Sequence, residues 1–147
     1  TDKEEKLKNI LDAMNMLDGP TVYPVHPRNQ AQAQHLAERY GYRNILFVQP
    51  VGYLTSVYLT NHTKKIVTDS GGLQREAFFA KKPCVTIFEY IGWPETMVNG
   101  CNRLAKPEKA DILEKLEMPT TWADAYQPFG DGHSAEKIVG KIREFFA

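Results

Sequence analysis

The chain lacks most of what several function classes require. Its 147 residues include only two cysteines, Cys84 and Cys101, with no C-x-x-C spacing. That pattern excludes a zinc ribbon and a thioredoxin-like redox site. Lys plus Arg number 18 and Asp plus Glu number 18, so the formal net charge is zero. No broad basic surface for nucleic acid is therefore expected. No apolar run approaches the roughly 18 residues of a membrane span, and the opening is too charged for a secretory leader, so the expectation is a cytoplasmic protein with free thiols and no membrane contact. There is no G-x-G-x-x-G, no Walker motif, no H-E-x-x-H and no G-x-S-x-G. No His, Asp and Glu set has metal-ligand spacing, so no metal and no cofactor is expected.

What is present suits an ordinary core: 42% of residues are hydrophobic and 11% aromatic, in a length typical of one domain. Leu7, Ile10, Leu11, Met14 and Leu17 recur at helical spacing, with Asp2 as a cap and Gly19-Pro20 as the stop. Strands are expected at 21–25, 44–49, 64–68 and 84–88, with a last one at 101–105. Helices are expected at 29–41, 52–62, 73–80, 108–117 and 134–146. Strands alternating with helices predict an α/β fold, a Rossmann-like parallel sheet with flanking helices. The chain nevertheless opens on a helix. A doubly wound sheet usually starts on a strand near its centre, so the first strand is expected to be missing.

The stretch "TDSGGLQREAFFA" (68–80) reads as a strand end, a glycine turn and a helix start. Ligands of open α/β sheets sit beyond the carboxyl ends of the strands. The first N–H groups of a helix have no internal partners, and its dipole favours an anion. Gly71 and Gly72 leave room for approach, and Ser70 adds a hydroxyl. Glu76 would repel a phosphate but could accept from sugar hydroxyls beside it. Phosphate donors with a ribose acceptor make a nucleotide site. The alternative is a capped helix after an ordinary βα turn. Glu76 favours the site, because residues 72 and 80 offer it no ion-pair partner at helical spacing.

In "YPVHPRN" (23–29), Pro24 and Pro27 would fix the backbone and aim His26 and Arg28 off a second strand end. Both side chains can bind phosphate; a surface Arg and a His satisfied in a turn is the alternative. Trp93 reads as a packing anchor, Glu95 is open between packing and function, and "FGDGHSAEK" (129–137) reads as a turn before a capped helix.

"YPVHPR", "PVGYL", "TDSGGLQREAFF", "KKPCVT", "WPET" and "FGDGHSAEKIV" follow one another along the chain. In that order they resemble the C-terminal half of non-hydrolysing UDP-N-acetylglucosamine 2-epimerases, from about residue 4 to the end. The resemblance implies two Rossmann-like domains arranged as in GT-B glycosyltransferases, with a UDP-sugar in the cleft. Residues 1–147 would be the UDP-binding C-terminal domain. Ser70, Gly71 and Gly72 would hold the diphosphate, Glu76 the ribose hydroxyls, and His26 and Arg28 would lie by the nucleotide. The implied reaction turns UDP-N-acetylglucosamine into its manno epimer by eliminating UDP and re-adding it, for cell-surface polysaccharide precursors. The implied partners are a UDP-sugar, an N-terminal domain and a second copy of the full-length protein.

Some positions depart from that family pattern. The acid–base carboxylates belong to the N-terminal domain. A His-Arg-x-Glu-Asn motif is expected just before the opening helix. Phe88 and Gly92 stand where an Arg and a Glu are usual, and Ser56 stands where an aromatic often meets the uracil. The chain alone is therefore expected to be inactive. Two other functions remain open at this point: the nucleotide-sugar half of a GT-B glycosyltransferase, and a non-catalytic UDP-sugar binding module.

Overall fold

The structure, a computed structural model, describes residues 3–90 and 92–146. Helix α1 (Glu4–Asn15) forms where the apolar spacing requires it. Leu7, Ile10, Leu11 and Met14 are all buried, on one stripe. The expected cap, Asp2, lies outside the described residues.

Strand β1 (Thr21–Pro24) pairs in parallel with β2 (Ile45–Val48). Strand β3 (Ile66–Thr68) pairs in parallel with β4 (Cys84–Ile87), and β4 with β5 (Asn102–Ala105). Between the strands run α2 (Gln30–Tyr40), α3 (Tyr53–His62) and α4 (Gly71–Phe79). After β5 come α5 (Lys109–Glu117) and α6 (Ser134–Phe146). Short 3-10 turns cover Pro27–Asn29 and Pro94–Gly100.

The sheet is split. β1–β2 and β3–β4–β5 form two separate parallel sheets. Laid side by side, β2-β1 and β3-β4-β5 give the doubly wound strand order with its first strand left out. One hydrophobic core still spans both. Ile45 comes from the first sheet and Val25 from just beyond its strand β1, and Val85, Ile87 and Ala105 come from the second. Leu7, Leu11 and Met14 of α1 and Ile112 and Leu116 of α5 join the same cluster. Helix α1 thus bridges the break by side-chain packing rather than by backbone hydrogen bonds.

Cys84 packs inside this fold, where burial pushes its thiol up to about 12 and leaves it inert. A buried polar chain fixes the loop after β4. The Thr86 hydroxyl donates to Asn102 Oδ1 at 2.8 Å, and Asn102 Nδ2 donates to Thr96 Oγ1 at 3.0 Å. Thr96 in turn donates to the Trp93 carbonyl at 2.8 Å.

The connector after α5 folds back on α4. Phe78 meets Trp122, Tyr126 and Phe129 edge-on at 6.2, 6.2 and 5.7 Å. Gly130 and Gly132 take left-handed φ of +82° and +87°, a conformation that glycine adopts without steric cost. Asp131 accepts from the His133 N–H at 3.1 Å and from Lys137 Nζ at 2.8 Å. This is the turn read from "FGDGH". Helix α6 follows with no buried residue; Ile138, Ile142, Phe145 and Phe146 of its apolar side are exposed. Among the described residues, no helix is long and apolar enough to cross a membrane.

Candidate functional site

The carboxyl ends of β1 and β3 lie on either side of the break, and the residues that follow them meet there. Ser70 is the N-cap of α4, with extended φ and ψ of −91° and 125°. Its N–H donates to Thr68 Oγ1 at 3.0 Å, and its hydroxyl oxygen accepts from the Leu73 N–H at a long 3.5 Å. The cap read from the sequence is therefore real, but it leaves most of the first-turn N–H groups to another acceptor.

Gly71 and Gly72 are the first two residues of α4, not a turn before it. Helix α4 begins two residues earlier than the apolar pattern from Leu73 suggests. Neither glycine has a positive φ. A Cβ on Gly71 would come no closer than 3.6 Å to Trp93 Nε1, and one on Gly72 no closer than 3.8 Å to the Ser70 hydroxyl. Both are ordinary contacts, so the fold itself does not demand glycine at either position. Glycine in a helix is intrinsically unfavourable. What side-chain-free positions do supply is an open approach to the helix N-terminus.

Glu76, half-buried on α4, has no ion pair among the described residues. Its carboxylate is open to hydroxyl donors one turn above the cradle.

On the other side, His26 caps the 3-10 turn: its Nδ1 accepts from the Arg28 N–H at 3.3 Å. The turn reading of His26 is thus correct for one ring nitrogen. An accepting Nδ1 places the proton of the neutral ring on Nε2, which leaves Nε2 as a donor. Arg28 Nη2 lies 3.7 Å from Asp69 Oδ2. His26, Arg28, Asp69 and Ser70 therefore gather at one edge, as the strand-end argument required.

Tyr23 belongs to the same group, and no sequence signal singled it out. Burial pushes its hydroxyl pKa up; a hydrogen bond with buried Asn29 opposes this, while the charge of Asp69 adds to it. Alternation along β1 could have placed Tyr23 inward, but only the fold brings Asp69 to it.

Across the cradle, Trp93 stacks under the Arg75 guanidinium, 4.2 Å from the ring centroid, and meets Phe129 edge-on at 6.1 Å. Trp93 is a packing residue, as expected. Glu95 is half-buried, with Oε2 out of water and without a hydrogen-bond partner. Phe88 pairs edge-on with Tyr90 at 4.7 Å. Ser56 sits half-buried on α3. Among the described residues, no group of three or more His, Cys, Asp or Glu side chains could hold a metal ion.

A parallel α/β fold with a helix N-terminus open at its strand ends defines a Rossmann-like domain. The chain belongs to the UDP-N-acetylglucosamine 2-epimerase family, whose family model matches residues 1–143. It is 41% identical to a UDP-N-acetylglucosamine 2-epimerase homolog of Methanococcus maripaludis, over 97% of this chain and 41% of that protein. It is 34% identical to the UDP-2,3-diacetamido-2,3-dideoxy-D-glucuronate 2-epimerase of Pseudomonas aeruginosa, over 95% of this chain and 40% of that one. Among solved structures it resembles the Methanocaldococcus jannaschii UDP-GlcNAc 2-epimerase in complex with UDP-GlcNAc and UDP, at TM-score 0.81 and 31% identity. That likeness covers 97% of this chain and 42% of the other. The chain thus spans about two fifths of the length of the curated relatives it matches.

Proposed function

We propose that this chain is the UDP-binding C-terminal domain, residues 1–147, of a sugar-nucleotide 2-epimerase acting on UDP-N-acetylglucosamine or a related UDP-sugar. The carrying observation is the α4 N-terminus. In a chain of this family, Gly71 and Gly72 present unblocked N–H donors, with the Ser70 hydroxyl, beside His26 and Arg28, and Glu76 lies one turn away.

In this reading the diphosphate lies on the N–H groups of the first turn of α4. His26 Nε2 and the Arg28 guanidinium approach it from the β1 side, and Glu76 accepts from the ribose hydroxyls. Eliminating UDP across C1 and C2 of the sugar builds negative charge on the departing diphosphate. Donors already aimed at that charge stabilise it as it develops and need not reorganise. Re-addition of UDP at C1, with a proton returned to the opposite face of C2, then gives the manno epimer.

Taking the proton from C2 requires a general base at the sugar. We assign it to an N-terminal domain of the full-length protein. The full-length protein would act as a cytoplasmic homodimer, providing precursors for cell-surface polysaccharide.

Two measurements test this. Calorimetry of the chain with UDP is expected to show binding that Ser70→Ala weakens and Glu76→Ala weakens further; no heat from the wild-type chain overturns the site. NMR after incubation with UDP-N-acetylglucosamine is expected to show no manno product. Any such product refutes the assignment of the base to another domain.

A further inference from the structure

We propose that Arg75, presented on the face of Trp93, binds the second phosphate of the nucleoside diphosphate, with Trp93 as its positioning residue. The inference rests on the UDP reading above and adds to it a second cation, on the α4 side, beside Arg28.

A diphosphate needs positive charge as well as N–H donors. Arg28, which reaches the site from the β1 side, also faces Asp69. Arg75 is exposed, and among the described residues it has no carboxylate partner; its contact is the Trp93 ring at 4.2 Å.

Its position on α4 suits the task. Residues four apart share a helix face, and helical side chains lean toward the N-terminus. Arg75 therefore leans over the turn that begins at Gly71, where no side chain intervenes. Trp93 flanks the same turn, its Nε1 3.6 Å from where a Cβ of Gly71 would stand. The indole is not a loose surface group. Its own carbonyl ends the buried Thr86–Asn102–Thr96 chain, and its ring edge packs on Phe129.

The stacking has a chemical consequence. A guanidinium resting on an aromatic ring uses its face, and its N–H donors stay in plane and available. Such a fork meets two phosphate oxygens at once, and a lysine ammonium does not reproduce that geometry. An arginine stacked in advance also loses less side-chain freedom on binding than a solvated one.

The test is calorimetry of the 147-residue chain with UDP, UMP and inorganic pyrophosphate. Arg75→Gln is expected to weaken UDP and pyrophosphate about tenfold and to change UMP less than about twofold. Arg75→Lys is expected to recover only part of the loss. Trp93→Phe, which keeps an aromatic face, is expected to weaken UDP less than Arg75→Gln does. Equal losses for UDP and UMP would overturn the assignment to the second phosphate. UDP binding unchanged in Arg75→Gln but lost in Glu76→Ala would overturn the role of Arg75 and leave the UDP site standing. No binding of any of the three by the wild-type chain would overturn both.

Discussion

Arg28 Nη2 lies 3.7 Å from Asp69 Oδ2, joining the residues after β1 to those after β3 across the break in the sheet. The side chains are 56% and 36% exposed, so solvent screens the pair and its contribution to stability is small. Arg28→Ala and Asp69→Asn are each expected to change unfolding free energy by no more than about 0.5 kcal/mol in urea titrations. Their effect belongs on the ligand. Asp69→Asn removes a negative charge beside the diphosphate and is expected to tighten UDP binding, whereas Arg28→Ala weakens it. Both effects are expected to shrink as salt is raised from low to physiological ionic strength. Salt-independent effects would place the pair outside the ligand's field.

Glu76 is expected to read the ribose. Glu76→Ala should weaken UDP about tenfold, the worth of a hydrogen bond to a charged acceptor, and leave pyrophosphate unaffected. A 2′,3′-dideoxy analogue of UDP should bind wild type and variant alike, because the partner hydroxyls are gone. A variant that loses pyrophosphate as strongly as UDP would show that Glu76 organises the helix rather than the sugar.

Gly100 is where the fold does require glycine. It has φ of +71°, and a Cβ there would overlap the Arg103 guanidinium. Arg103 is buried and donates to the Pro119 carbonyl and, at 3.2 Å, to the Thr120 hydroxyl. Gly100→Ala must strain the backbone and displace this arginine, so a loss of about 2–4 kcal/mol is expected in chemical denaturation. Gly72→Ala, which meets only an ordinary contact at 3.8 Å, is expected to keep full stability while losing UDP.

Tyr42 and Asp12 tie the loop before β2 to α1. The Tyr42 hydroxyl donates to Asp12 Oδ1 at 2.9 Å, and Lys8 donates to Oδ2 at 2.6 Å. Burial raises the Asp12 carboxyl pKa, but these two hydrogen bonds, with the charges of Lys8 and Lys109, hold the group below its ordinary 3.8. A depressed folded-state pKa stabilises above the unfolded value, and that stability is lost as pH falls through the folded one. Tyr42→Phe is expected to cost about 1 kcal/mol at pH 7. It is also expected to flatten the fall in stability below about pH 4, measured by urea midpoints across pH. An unchanged acid limb would assign the acid sensitivity to other carboxylates.

Much of the fold was legible because local patterns and tertiary packing agree. The α1 stripe, the runs "ILFV" and "CVTI", and the left-handed Gly41 that ends α2 each carry a short-range signal strong enough to stand alone. Helix α3 was harder to read. It is rich in β-branched residues and has no clear apolar stripe, and it buries only Thr60 while Tyr53, Leu54 and Tyr58 stay exposed. At α4 the pattern begins at Leu73 because glycines carry no hydropathy signal, although backbone hydrogen bonding starts the helix at Gly71.

The sequence by itself determined the alternation of strands and helices, the cap at Ser70, the motif order and the residue types at the proposed phosphate and ribose site. These follow from side-chain chemistry and near-neighbour spacing. Only the tertiary structure decided which of those residues meet. It brought Arg28 to Asp69, set Tyr23 beside them, and stacked Arg75 on Trp93, pairs separated by many residues along the chain. It also put a break in the sheet between β1 and β3, bridged by α1. Such contacts depend on the parallel register of strands and on one shared core, and no local propensity encodes the distance between two strand ends.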